Sequence, residues 1–61
     1  MEIEYLLTDD GGINTLYLPI ILELNTNFHI EYGVYEVTDY TIEFNKIKTV
    51  ICERITKITT K

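Results

Sequence analysis

Alternation of apolar and polar residues constrains the fold of this chain more than any other sequence feature. In the segment 2–8, the apolar residues Ile3, Tyr5 and Leu7 alternate with other residues. Those residues are polar or charged, except for Leu6 between Tyr5 and Leu7. A period of two is typical of a half-buried β-strand, because successive side chains of a strand point to opposite faces. Similar alternation recurs in three further segments, 28–32, 34–37 and 40–44.

Composition and turn residues support the same interpretation. Ile, Val and Thr make up 22 of the 61 residues and the chain contains no Ala, which favours strands over helices. The segment Asp9-Asp10-Gly11-Gly12 predicts a tight hairpin, and Pro19 marks an edge, a bulge or the end of a strand. Further breaks are predicted as turns at 25–27 and 38–39 and as a bulge or tight bend at Gly33.

The C-terminal segment is compatible with two structures. Apolar residues at 47, 50, 51, 55 and 58 have helical spacing, but β-branched residues dominate the segment. We therefore predict a short helical turn at 45–48, followed by a strand from about Thr49 to Ile58. The expected fold is a single all-β domain, 1–61: a small twisted antiparallel sheet or SH3-like barrel of about five strands. The alternative is an α+β domain with a C-terminal helix.

Charge is distributed unevenly along the chain. The net charge is −5, but residues 1–45 carry nine acids and no Lys or Arg, whereas residues 46–61 carry five bases and one acid. One interpretation is that the basic segment pairs with acidic strands. The other is that an unpaired acidic surface attracts a basic partner protein. The acidic balance argues against direct nucleic-acid binding, which requires a basic face.

Side chains that commonly carry catalysis are sparse. His29 is the only histidine and is expected to be solvated, while Cys52 lies in an apolar stretch and is expected to be a buried thiol. The Asp9–Gly12 segment lacks the spaced ligands of a calcium loop, and there is no zinc pattern. We therefore predict no catalytic residue, metal or cofactor. A single cysteine and the lack of a long apolar run favour a cytoplasmic protein without membrane contact.

Two groups of residues are candidates for binding. The chain has five Tyr and two Phe, more than so small a core is expected to hold, and Tyr is enriched at protein interfaces. The predicted partner-binding residues combine aromatic residues with acids: Phe28, Glu31, Tyr32, Tyr35, Glu36, Asp39 and Glu43. The apolar segment 16–24 predicts a homodimer interface at Leu16, Leu18, Ile20 and Leu22.

Two segments resemble a known family. Leu6-Leu7-Thr8-Asp9-Asp10-Gly11-Gly12 and Phe28-His29-Ile30-Glu31-Tyr32-Gly33 are similar to segments of the small acidic phage inhibitors of uracil-DNA glycosylase. The resemblance implies an acidic homodimer that mimics DNA and blocks the DNA-binding groove of the enzyme. It also implies roles for Phe28, Tyr32 and the nearby acids. That family has a helix around the second segment, whereas the alternation here predicts a strand.

These observations favour a non-enzymatic protein that binds and inhibits another protein. The expected partner is a host protein with a basic surface, such as a nucleic-acid enzyme or a defence system attacked by a phage-encoded inhibitor. One alternative is a structural module, a small β-barrel that oligomerises through sheet edges. A further alternative is a small barrel that binds RNA or another ligand through basic residues, Lys46, Lys48, Arg54 and Lys57.

Overall fold

The chain folds into one curled five-stranded sheet that forms a half-barrel. The computed structural model describes residues 1–9, 11–31 and 33–55, which contain five strands and no helix. This confirms the all-β class and the number of strands. The strands are β1 (Ile3–Asp9), β2 (Gly12–Leu18), β3 (Asn27–Ile30), β4 (Gly33–Glu43) and β5 (Lys46–Arg54).

The order across the sheet is β2-β1-β5-β4-β3, and one pair departs from the predicted antiparallel pattern. β1 runs parallel to β5, whereas the other three neighbouring pairs are antiparallel. β5 therefore lies at the centre, where its residues Thr49, Val50 and Cys52 are buried. Alternation along a strand does not encode which strand lies beside it, so this pairing was not predictable from the pattern.

Glycines allow the tight turns of the two outer hairpins, β1–β2 and β3–β4. Asp9 pairs with Gly12 across a two-residue loop, as the Asp-Gly segment predicts, and Gly12 has a φ of 138°. Ile30 pairs with Gly33 across the other loop, which confirms a tight bend at Gly33. Gly33 has a φ of 139°, and a Cβ there would lie 3.2 Å from the Arg54 guanidinium carbon. Both its backbone angle and this close approach therefore favour glycine.

The β4–β5 hairpin corrects two predictions about the second half of the chain. Phe44 and Asn45 have φ values of 54° and 64°, the pattern of a two-residue turn that reverses a strand. The predicted helical turn at 45–48 is therefore wrong, and β5 begins at Lys46 rather than near Thr49. The part of the predicted strand beyond Ile55 lies outside the described residues.

The predicted turn at Thr38 and Asp39 is also wrong, because β4 continues through both residues. A register shift between Val37 and Asp39 shows that the strand accommodates them as a β-bulge. The Thr38 hydroxyl donates a hydrogen bond of 3.3 Å to the Ile51 carbonyl on β5. The bulge places both Val37 and Tyr40 on the core side, although they are three positions apart.

The core lies on one face of the sheet, here called the concave face. Its fully buried side chains come from the three central strands: Tyr5, Leu7, Tyr35, Val37, Val50 and Cys52. Phe28 packs beside them, with its ring centroid 6.2 Å from that of Tyr5 and 6.2 Å from that of Tyr35. Aromatic pairs with such spacing stabilise a core beyond the area they bury.

Residues 19–26, here called the crossover segment, connect the two edge strands and run along the concave face. The Tyr5 hydroxyl donates to the Ile20 carbonyl at 2.6 Å and accepts from the Leu22 N–H at 2.9 Å. The Tyr40 hydroxyl donates to the Leu22 carbonyl at 2.6 Å. Two core tyrosines therefore bind the backbone of the crossover segment at Ile20 and Leu22, where the segment pairs with no strand.

Candidate protein-binding face

The opposite side of the sheet, here called the outer face, has no segment of the described chain covering it. Strand register aligns its residues in rows across the sheet. One row contains Tyr17, Glu4, Thr49 and Thr41, and the next contains Thr15, Leu6, Ile51 and Asp39. A third row contains Ile13, Thr8, Glu53, Glu36 and Asn27.

Five carboxylates from three strands lie on the outer face: Glu4, Glu36, Asp39, Glu43 and Glu53. Glu36 and Glu53 are directly opposite each other on β4 and β5. Directly opposite residues of an antiparallel pair have Cβ atoms about 5 Å apart, so two like charges there repel each other. Their repulsion makes this part of the outer face less stable than a neutral pair would.

Cations compensate little of this charge. Among the described residues, one ion pair forms, between Lys48 Nζ and Glu43 Oε1 at 3.1 Å, and both side chains are about half exposed. Glu36 accepts a hydrogen bond of 3.2 Å from the Asn25 side-chain amide, and Glu4 accepts a long one of 3.5 Å from Thr49. The other four outer-face carboxylates form no ion pair within the described part of the chain, so most of the negative charge stays available to a partner.

Apolar side chains lie among these carboxylates. Leu6 and Ile51 occupy the middle row and are half-buried between neighbouring strands. Ile13 and Tyr17 on β2 are 64% and 56% exposed. Apolar residues surrounded by polar ones resemble the arrangement of protein interfaces, in which a dry centre lies inside a polar rim.

The basic residues of β5 are divided between its two ends. Lys46 lies opposite Glu43 at the hairpin end, as cross-strand charge pairing predicts. Arg54 lies at the other end, six residues and about 20 Å from Lys48 along the strand. These three residues therefore do not form the continuous basic strip that the RNA-binding alternative requires, and Lys57 lies outside the described residues.

The predicted partner-binding residues divide into two locations. Glu36, Asp39 and Glu43 lie together on the outer face, while Glu31 is exposed in the β3–β4 turn. Phe28 and Tyr35 belong to the core, where Tyr35 is fully buried. Their aromatic side chains therefore stabilise the fold, and we leave both out of the candidate face. Tyr32 lies outside the described residues.

Sequence reasoning missed several members of this face. Alternation placed Glu4 on the polar side of its strand, but only the strand order places it on the same face as Asp39 and Glu53. Leu6 and Ile51 are apolar and lie between core residues in the sequence. The sequence pattern therefore did not predict that both side chains lie on the outer face. Phe44, at the tip of the β4–β5 hairpin, is 88% exposed and was not among the predicted binding residues.

The predicted dimer residues lie largely against the core. Leu16 and Leu18 of β2 and Leu22 of the crossover segment are half-buried and pack on the concave cluster. Ile20 is 58% exposed. These residues therefore contribute to the folded monomer, and their part in a dimer stays a prediction.

A polar depression of about 210 Å³ lies where β1 and β5 end side by side, lined by Thr8, Asp9, Glu53 and Arg54. The Tyr35 hydroxyl donates to Asp9 Oδ2 at 3.4 Å nearby. The depression contains a mixture of charges and no thiol or imidazole among these lining residues.

Cys52 and His29, whose side chains have catalytic potential, are not among the residues that line this depression. Cys52 is fully buried, and burial raises the pKa of its thiol to about 11, so the reactive thiolate is disfavoured at neutral pH. His29 is exposed on β3, opposite Val34. The described residues contain no group of three or more His, Cys, Asp or Glu side chains placed to hold a metal ion.

The described part of the chain also contains no helix long and apolar enough to span a membrane. No protein-family model matches the chain, and no curated protein or solved structure is significantly similar to it. A function is therefore inferred from the geometry and charge of the outer face.

Proposed function

We propose that this protein is a non-enzymatic binding protein whose acidic outer face docks on a basic surface of another protein and inhibits it. The observation that carries the proposal is the set of five outer-face carboxylates with one ion pair among the described residues. Such an arrangement lowers stability when the protein is free and becomes favourable when a partner supplies cations.

The partner is a protein rather than a polynucleotide. A polynucleotide is repelled by carboxylates, because nucleic-acid affinity depends on replacing counterions with Lys and Arg. Leu6, Ile51 and Tyr17 supply apolar area among the charges, and Tyr is enriched in the energetically dominant parts of protein interfaces.

The best-fitting target is an enzyme or defence protein that itself binds nucleic acid. Glu36 and Glu53 lie opposite each other on neighbouring strands, which are about 4.8 Å apart, and Asp39 and Glu43 are four residues, or about 13 Å, apart along β4. Negative charges repeated across and along one face of the sheet resemble a phosphate backbone in sign and fit a groove lined with Lys and Arg. A phage-encoded inhibitor acting in the host cytoplasm has this character, as does the glycosylase-inhibitor family to which two segments show resemblance.

A matched pair of variants tests the role of the outer face. Glu36→Gln/Glu53→Gln removes two charges from the face, whereas the control Glu23→Lys changes one exposed residue elsewhere and gives the same net charge. Tagged protein is used to capture partners from bacterial lysate in low salt, and the affinity of each variant for the dominant captured protein is measured by calorimetry.

We expect the outer-face double variant to bind at least tenfold more weakly and the control to bind as the parent does. Raising the salt concentration should weaken the parent complex more than that of the outer-face variant. Equal affinity of the two variants would overturn the proposal, as would failure to capture any protein in low salt.

A second candidate function, an assembly module that oligomerises through sheet edges, is favoured by one observation. The edge strand β2 carries no charged residue from Gly12 to Leu18. Light scattering separates the two functions, because an assembly module grows beyond a dimer as the protein concentration rises. A fixed stoichiometry of one or two copies would count against assembly.

A further inference from the structure

Besides the start of β5, which carries Lys46 and Lys48, three stretches of the described sheet have a backbone edge without a neighbouring strand. They are β2, β3 and the part of β4 beyond Val37, because β3 and the adjoining Asn25 and Thr26 pair with β4 only as far as Val37. In an antiparallel pair every second residue turns its N–H and C=O groups away from the neighbouring strand. Each of these edges is therefore able to pair with another strand.

Two of the three edges carry features that discourage such pairing. β3 has only four residues, and charged Glu31 follows it directly. The free part of β4 contains a bulge at Thr38 and two acids, Asp39 and Glu43. Short length, charge and bulges are the devices by which natural sheets avoid edge-to-edge association.

β2 carries none of these protective features. It has seven residues, no bulge in its register with β1, and no charged side chain or proline before Pro19. Its outward-facing residues Ile13, Thr15 and Tyr17 are exposed. β-branched and aromatic side chains with this spacing stabilise cross-strand pairs.

We propose that a second copy of this chain pairs with β2 in antiparallel orientation, about a two-fold axis at Thr15. Ile13 then lies opposite Tyr17 of the second copy, and the two Thr15 residues face each other. The pairing is isologous and closes, since each copy uses the same edge, and it joins two five-stranded sheets into one.

A second copy of β2 fits this edge, because it supplies a strand with the same length and the same lack of charges and bulges. The chain carries a net charge of −5, so two copies repel each other over most orientations. Pairing through β2 brings no like-charged side chains opposite each other, and β3, which is likewise uncharged from Asn27 to Ile30, offers only four residues for pairing. The acidic outer faces then become continuous on either side of an apolar seam of Ile13 and Tyr17.

Two lysine variants test which edge is used. Thr15→Lys places two ammonium groups opposite each other at the proposed two-fold axis, and Asn27→Lys adds the same charge to the other edge strand. We expect sedimentation equilibrium to show a dimer for the parent and for Asn27→Lys, and at least a tenfold weaker dimer for Thr15→Lys. Circular dichroism checks that both variants stay folded.

A cysteine pair tests the register directly. Thr15→Cys brings two thiols within disulfide distance across the axis, whereas Ile13→Cys places each thiol opposite Tyr17. Under mild oxidation Thr15→Cys should form a covalent dimer and Ile13→Cys should not, since the native Cys52 is buried. A parent that is monomeric up to millimolar concentration, or equal cross-linking of both variants, would overturn the proposal. These outcomes do not depend on whether the outer face binds another protein.

Discussion

The two faces of this one sheet are built from alternate residues of the same strands, yet they differ in how their polar groups are satisfied. On the concave face, the Tyr5 and Tyr40 hydroxyls bond the crossover backbone at 2.6 to 2.9 Å. On the outer face, Glu36 and Glu53 lie directly opposite each other. The contrast indicates that the concave face supplies stability and that the outer face retains charges that stability alone does not favour.

The largest expected difference in stability between the two faces comes from substituting two adjacent leucines of β1. Leu7 is fully buried on the concave face, whereas Leu6 is half-buried on the outer face. We expect Leu7→Ala to lower the free energy of unfolding by about 2–5 kcal/mol, because it removes buried methyl groups and leaves a cavity. Leu6→Ala should cost about 1 kcal/mol.

Urea unfolding followed by circular dichroism measures both values. A domain of this size has little stability in reserve, so Leu7→Ala is also expected to leave a detectable unfolded fraction without denaturant. Equal losses for the two variants would mean that both faces contribute alike to the core.

The next test removes single hydroxyl groups. Tyr5→Phe leaves the Ile20 carbonyl and the Leu22 N–H without their partner, which should lower stability by about 1–3 kcal/mol. Tyr17→Phe, on the exposed side of β2, should change stability by less than about 0.5 kcal/mol. Hydrogen exchange of the Leu22 amide should accelerate only in Tyr5→Phe, and unchanged exchange there would contradict the role of Tyr5 in holding the crossover segment.

A third test uses alkaline pH, where two buried groups of the concave face are expected to respond. Burial raises the pKa of the Cys52 thiol from 9.0 to about 11 and also raises the pKa of Tyr5. The unfolded chain therefore releases these protons first, so stability is unaffected below pH 9 and falls as the pH rises towards about 11.

Stability curves measured between pH 8 and pH 11 test this dependence. Cys52→Ala should show a shallower fall than the parent, since it retains only the contribution of Tyr5. Identical slopes would show that the thiol does not contribute to the loss.

The smallest expected effect concerns the outer face. Glu53→Gln removes the like-charge pair with Glu36 and should raise stability by about 0.5 kcal/mol in low salt. The gain should vanish in 1 M salt, and the control Glu23→Gln should show no gain. A variant that is more stable yet binds its partner less tightly would sharpen the contrast between the faces. A loss of stability in low salt would instead show that Glu53 supports the fold.

Local chemistry made much of the fold predictable. The Asp-Gly hairpin before Gly12, the bend at Gly33 and the strands around Tyr5, Phe28 and Tyr40 all follow from turn residues and a period of two. The errors arose where backbone geometry departs from residue preference. Thr38 forms a bulge within β4, and Phe44 adopts a positive φ that bulky residues rarely adopt.

The candidate face was only partly predictable. Glu36, Asp39 and Glu43 were identified, although the sequence pattern placed them in two separate strands and the turn between them rather than in the single strand β4. Glu4 and Glu53 join them through the strand order, in which β5 separates β1 from β4. That order depends on long-range pairing, which no local pattern records. The burial of Tyr35 was not predicted for a related reason, since it depends on packing against Phe28 and on neighbouring strands.

The parallel pairing of β1 with β5 has a consequence for the order of folding. Tyr5 finds its partner Val50 only after a loop of more than forty residues has closed, and contacts of such separation slow folding. In the order of synthesis, β1 and β2 precede the strand that completes their core by more than twenty-five residues. Refolding should therefore be slow for a chain of this length, and shortening the chain into β5 should abolish the fold rather than fray one edge.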